Sequence, residues 1–217
     1  HEQGLHHPDG SKGNKFCVYE DDLPVFQWLK EGNGAPAFAK PMEAYIMDLS
    51  DDIAYSVHDV EDAIVGQSIE AADLHAHDVI DAVVECVHSW YGDKWDGDKL
   101  INAYERLNMA KLLPYSFDST RRDLAMLKNM TSNIIGRFAS SVEAETRATY
   151  GQGHLTRYNA QVVIPEDTAY EIAFLKGIAV FAVMEPREHE SFHHTQQAII
   201  EDLVDVLMSG GSAPHSM

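Results

Sequence analysis

"MEAYIMDLSDDIAYSVHDVEDAIV", residues 42–65, decides how the rest of the chain is read. Ile46, Leu49, Ile53, Val57, Val60 and Ile64 recur at three- and four-residue spacing, the stripe that an α-helix turns toward a core. The same helix carries Asp51, Tyr55 and Asp59 at i, i+4 and i+8, so all three project from neighbouring turns of one face. A solvated acidic face normally has lysines four residues away, yet none occurs between Lys40 and Lys94. Carboxylates crowded in this way are relieved when a divalent cation binds them. A merely solvated acidic helix would show the same pattern.

Working outward, helical signals dominate. "DDLPVFQWLKEG" reads as a short helix with Asp22 as its cap, Pro24 in the first turn and Gly32 at its end. Residues 71–91 repeat the apolar pattern with Leu74, Val79, Ala82, Val83, Val87 and Trp90, and residues 96–113 form another helix. A long helix starts near Asp118, a plausible cap, and runs to Gly151. Two more cover about 167–184 and 188–208. The one β-looking run is "LTRYNAQVVIP", closed by Pro165. The expectation is an all-α fold of six to seven helices with at most one short β segment. It forms a single helical domain over 1–217, mostly loop in 1–40, helical in 41–208, with a tail at 209–217.

The totals exclude several classes. The 217 residues suffice for a real core, and 45% hydrophobic content argues against disorder. No stretch approaches 18 uninterrupted apolar residues, and no basic-then-apolar leader is seen, so neither a membrane span nor a secretion signal is expected. Cys17 and Cys86 lack CxxC spacing, which suits free thiols in a reducing cytoplasm. A net charge of −19 leaves no broad basic face for nucleic acid or membrane surfaces. An anionic small substrate would need a bound cation or a few focused lysines and arginines.

Two His-Asp doublets occur, His58-Asp59 and His77-Asp78, but 12 histidines among many acids produce such pairs by chance. His75, His77 and His88 read as surface or satisfied helix residues. Glu85…His88 and Glu190…His193 are Glu-x-x-His pairs, the element from which di-iron sites are built in helical bundles. The extra glutamates of such a site could be Glu43 or Glu61 with Glu171. A di-iron carboxylate protein is therefore one alternative, and a non-catalytic helical module another. "GSKGNK", 10–15, is a flexible loop with two lysines, loosely suggestive of phosphate.

Three segments share a further property: "KFCVYEDDLPVFQWL", "EAYIMDLSDDIAYSVHDVEDAI" and "LTRYNAQVVIP…EIAFLKGIAVFAVM". In wording, order and approximate spacing they resemble bacterial deoxyguanosinetriphosphate triphosphohydrolases, a branch of the HD superfamily. That family's metal signature is H…HD…D, with the doublet in a "HDIGHPPFGH"-like stretch and the last aspartate in an "ADDIAY"-like one. Only the last element has a counterpart here, and it places the resemblance's metal ligand and catalytic aspartate at Asp51. The resemblance further assigns Tyr55 and Asp59 to the substrate sugar and Lys15 to the phosphates. It gives His58 and His77 no role, so the doublet in the acidic helix is a decoy although Asp59 is not.

The resemblance implies hydrolysis of a deoxynucleoside triphosphate, dGTP or another, to a deoxynucleoside and tripolyphosphate. A divalent ion such as Mg²⁺ or Mn²⁺ would be the cofactor, with its remaining ligands supplied by an N-terminal part upstream of His1. The chain is thus expected to be a fragment, inactive alone. The family relationship also implies a homo-oligomer, commonly a hexamer, and a nucleotide or single-stranded DNA effector.

Overall fold

The computed structural model describes residues 18–31, 39–92, 94–184, 199–204 and 206–208. Among them the chain is all-α, with no strand. The helices are α1 (Leu23–Lys30), α2 (Met42–Val65), α3 (His77–Tyr91), α4 (Gly97–Met109), α5 (Arg121–Tyr150) and α6 (Glu166–Met184). Residues 199–204 and 206–208 are also helical, in the span expected for the last helix. No helix of the described residues is long and apolar enough to cross a membrane.

The described residues fall into two compact units, one within His1–Ile53 and Phe138–Pro165, the other within Ala54–Arg137 and Glu166–Met217. In the first, α1 carries Pro24 in its first turn, where a missing N–H costs nothing, but Asp22 makes no side-chain cap bond. The expected terminator Gly32 lies outside the described residues. The amide of Met42 at the start of α2 donates to the Arg157 carbonyl at 2.6 Å, and the Glu43 carboxylate accepts from the Arg157 amide at 3.0 and 3.1 Å. Arg157 sits at φ +50°, and its guanidinium lies 5.0 Å from the Trp28 ring centroid. The β-looking run pairs with no strand. Instead the Val163 amide donates to Thr146 Oγ1 of α5 at 3.0 Å.

In the second unit α6 packs against both α3 and α4 and is buried nearly all round, through Ile172, Ala173, Phe174, Leu175 and Ile178. Close approach to α3 depends on Gly177, where a Cβ would lie 2.6 Å from Val87 Cγ2 and 3.0 Å from Val83 Cγ1. On α3 Ile80, Val83 and Val87 are buried, but Trp90, expected in that stripe, is 60% exposed. The α3 helix also starts later than its apolar pattern, because residues 73–75 form a 3₁₀ turn that buries Leu74.

Two helix ends, the end of α4 and the start of α5, differ from their expected positions for local reasons, while α2 ends at Val65 as expected. The α4 helix stops at Met109 because Lys111, at φ +55°, forms a Schellman turn: its amide donates to Asn108 O and that of Leu112 to Leu107 O. Leu112 and Leu113 stay buried beyond the helix end. The α2 helix ends likewise, with Gln67 at φ +57° and the Ser68 amide on Ala63 O. Asp118 is not the cap of α5. Thr120 is: its Oγ1 accepts from the Asp123 amide at 3.2 Å, while Asp123 Oδ2 accepts from the Thr120 amide at 3.1 Å, a capping box. Asp118 only donates its amide to the same carboxylate.

Candidate functional site

The α2 helix carries the candidate residues. Its buried stripe is Ile53, Val57, Val60 and Ile64, while Ile46 is half-exposed, so the apolar periodicity orients the helix from Ile53 onward. Asp51, Tyr55 and Asp59 therefore stand on an exposed side, with Tyr55 61% exposed. Partial desolvation pushes the Asp59 carboxyl above its usual range, the Asp62 charge adds to this, and His58 opposes it. His58 turns back on its own helix, Nδ1 donating to the Ala54 carbonyl at 2.9 Å. Lys15 lies outside the described residues.

The acidic helix is less isolated than its sequence suggests. Lys40 pairs with Asp48 at 2.5 Å. Glu61 is buried, paired with Lys128 of α5 at 2.5 Å and accepting from Thr131 Oγ1 at 2.6 Å. Burial raises the Glu61 carboxyl, but the hydrogen bonds of Lys128 and Thr131 and the Lys128 charge outweigh it, leaving a lowered value. The partners come from another helix, so an i+4 search along α2 misses them.

The glutamates considered for a di-iron site have other occupants. Glu171, 1% exposed, accepts from Arg106 Nε at 2.8 Å, Arg137 Nε at 3.0 Å and Arg137 Nη2 at 2.9 Å. Glu61 and Glu43 are held as described above. His88 Nε2 donates to the Trp95 carbonyl at 2.8 Å, and Glu85 is exposed one turn away. Glu190 and His193 lie outside the described residues. His75 is a satisfied residue, its ring nitrogens 3.1 Å from Tyr104 Oη and 3.0 Å from the Pro114 carbonyl. His77 is exposed at the first turn of α3.

A carboxylate such as Asp51 suits a hard divalent cation. Among the described residues, however, no group of three or more His, Cys, Asp or Glu is placed to hold one. These residues therefore do not by themselves fit a resident metal.

Comparison with known proteins now bears on this helix. Residues 162–216 match the phosphohydrolase-associated domain family. A deoxyguanosinetriphosphate triphosphohydrolase-like protein of Bifidobacterium longum is 56% identical over 208 residues, 96% of this chain and 43% of its own length. Over most of its length the chain is thus similar to proteins named deoxyguanosinetriphosphate triphosphohydrolase-like. Proteins of the same name from Streptomyces coelicolor and Corynebacterium diphtheriae are 41% and 34% identical over 93% and 94% of the chain. The chain spans about half the length of the curated relatives it matches, 43%, 47% and 48% of the three. No solved structure matches it.

Within the matched residues 162–216, α6 contains a feature that its sequence pattern undervalues. Glu171 appeared there as a possible metal ligand, whereas its two arginine partners lie 65 and 34 residues away on α4 and α5. The available signal was an ionisable residue inside the otherwise apolar run "EIAFLKGIAVFAVM", which demands a partner once buried.

Proposed function

We propose that the protein bearing this chain is a metal-dependent hydrolase that converts a deoxynucleoside triphosphate to a deoxynucleoside and tripolyphosphate. Similarity over nearly the whole chain to proteins named for that activity supports the reaction class. The observation that carries it to particular residues is the exposed line of Asp51, Tyr55 and Asp59 on α2. In this reading Asp51 is one ligand of a divalent ion such as Mg²⁺ or Mn²⁺, and the other ligands lie outside the described residues. The Tyr55 ring packs against the deoxyribose and fills the space that a 2′-hydroxyl would need. Asp59 accepts a hydrogen bond from the 3′-hydroxyl, a role in which its ionised form is the stronger partner. Lys15 contacts the phosphates. The substrate's polyanionic tail needs such focused cations, because a net charge of −19 repels it from the protein at large.

The same reading makes the protein cytoplasmic and homo-oligomeric, hexameric by resemblance, with a nucleotide or single-stranded DNA effector. It also makes the 217-residue chain inactive alone, since one carboxylate is too few ligands for a hydrolytic centre. The test is Tyr55→Ala in the protein at its relatives' full length, measured as kcat/KM for dGTP and GTP. The deoxy preference should shrink at least tenfold, mainly through gained GTP turnover. An unchanged preference would remove Tyr55 from the sugar site.

A further inference from the structure

Glu43, Met47, Asp51, Tyr55 and Asp59 form one i, i+4 series along α2, so the candidate line begins before Asp51. In the reading above, the sugar meets Tyr55 and the 3′-hydroxyl meets Asp59. The substrate's 5′ side then points past Asp51 toward the N-terminal end of the helix. Its phosphate chain runs toward Glu43, which lies roughly 12 Å from Asp51 along the helix axis. That is also the end at which the helix dipole favours negative charge.

Arg157 is fastened at that end. Its carbonyl accepts from the Met42 amide at 2.6 Å, and its amide donates to the Glu43 carboxylate at 3.0 and 3.1 Å. A non-glycine residue at φ +50° is strained, and this one is held there by bonds from both of its backbone groups to α2. Glu43 is engaged by amides, its own and that of Arg157, and makes no ion pair with the guanidinium. The guanidinium instead lies 5.0 Å from the centroid of the Trp28 ring, which is 59% exposed. Stacking fixes the plane of the fork and leaves its N–H groups in solvent. The other lysines and arginines of the first unit, among the described residues, are committed. Lys30 donates to the Ala39 carbonyl, Lys40 pairs with Asp48, and Arg147 donates to the Gly153 carbonyl. Of these four cations only Arg157 has no hydrogen-bonded or ion-paired head group.

We propose that Arg157 is a substrate-binding residue whose guanidinium receives the terminal phosphates of the triphosphate through paired N–H···O bonds. Glu43 and Trp28 are its positioning residues, the first holding its backbone and the second its plane. The direction of the phosphate chain rests on the proposed roles of Tyr55 and Asp59. The uncommitted, pre-oriented cation does not.

The test uses the protein at its relatives' full length. Arg157→Ala should raise KM for dGTP roughly tenfold with kcat little changed, the loss of one charge-assisted contact. Calorimetric titration with inorganic tripolyphosphate should show a similar loss of affinity. Inhibition by deoxyguanosine, which carries no phosphate, should stay as in the parent. Arg157→Lys should recover part of both losses, and Trp28→Leu, which leaves the guanidinium unguided, should weaken tripolyphosphate severalfold. A purely structural role would move deoxyguanosine inhibition together with the other two readouts. Unchanged KM and tripolyphosphate affinity in Arg157→Ala, or an equal loss of deoxyguanosine inhibition, would overturn the proposal. A parent that does not hydrolyse dGTP would sink the reading of α2 instead, and the calorimetric comparison, which needs no turnover, still decides Arg157.

Discussion

Gly177→Ala is the most direct probe of how α3 and α6 meet. The added methyl would stand 2.6 Å from Val87 Cγ2, and 3.0 Å from both Val83 Cγ1 and the Val83 carbonyl oxygen. Val87 and Val83 are buried, and a β-branched side chain in a helix has essentially one rotamer, so neither can swing clear. The carbonyl belongs to the α3 backbone and moves only with the helix. Overpacking costs roughly 1–3 kcal/mol, and a clash that neither a rotamer change nor the backbone can relieve belongs in the upper part of that range, about 2–3 kcal/mol. Alanine in place of a mid-helix glycine returns about 1 kcal/mol. The net is a loss of about 1–2 kcal/mol, or roughly 2–8 °C in Tm for a chain of this size. Urea unfolding followed at 222 nm measures it. A variant as stable as the parent would refute the close approach. Val87→Ala supplies the internal control: it creates a void alone, but in the Gly177→Ala background it makes room for the new methyl. The double variant should therefore be more stable than the sum of the singles by about 0.5–2 kcal/mol.

Three further outcomes follow from the same packing. Glu171→Gln removes the charge that neutralises Arg106 and Arg137 and should cost roughly 2–3 kcal/mol in urea unfolding, the usual buried-pair penalty reduced because both arginines reach solvent; Glu166→Gln, which breaks only an exposed pair with Lys99, should cost far less. The Glu61 carboxyl is lowered in the folded state, so its contribution is fully present above the ordinary glutamate value of 4.5 and is lost as pH falls through the lower folded value. Unfolding measured from pH 6 to pH 3 should accordingly be less pH-dependent in Glu61→Gln than in the parent. Thr120→Ala removes the cap of α5 and should cost about 1 kcal/mol, whereas Asp118→Ala, which leaves that cap intact, should be nearly neutral by the same measurement.

Legibility in the sequence followed the range of the interactions. The middle of α2 could be read because Ile53, Val57, Val60 and Ile64 repeat with helical period and all four are buried. Asp51, Tyr55 and Asp59 emerged from the same arithmetic, before any resemblance. Helix ends were harder, because a Schellman turn at Lys111 and a capping box at Thr120 are decided by single dihedrals and hydrogen bonds that periodicity ignores. Val162, Val163 and Ile164 have β propensity, but without a partner strand the hydroxyl of Thr146 takes the Val163 amide instead. The neutralisation of Glu61 and Glu171 was illegible, since their partners lie 34 to 70 residues away in sequence.

The central claim is that Asp51, not the adjacent His58-Asp59 doublet, supplies the metal ligand of a triphosphohydrolase. Both Asp51 and His58 are exposed, so Asp51→Asn and His58→Asn should fold alike. The decisive measurement is Mn²⁺-dependent tripolyphosphate release from dGTP by each variant in the protein at its relatives' full length. The account predicts that Asp51→Asn abolishes release while His58→Asn retains most of it. Full activity in Asp51→Asn, or its loss in His58→Asn alone, would contradict the account.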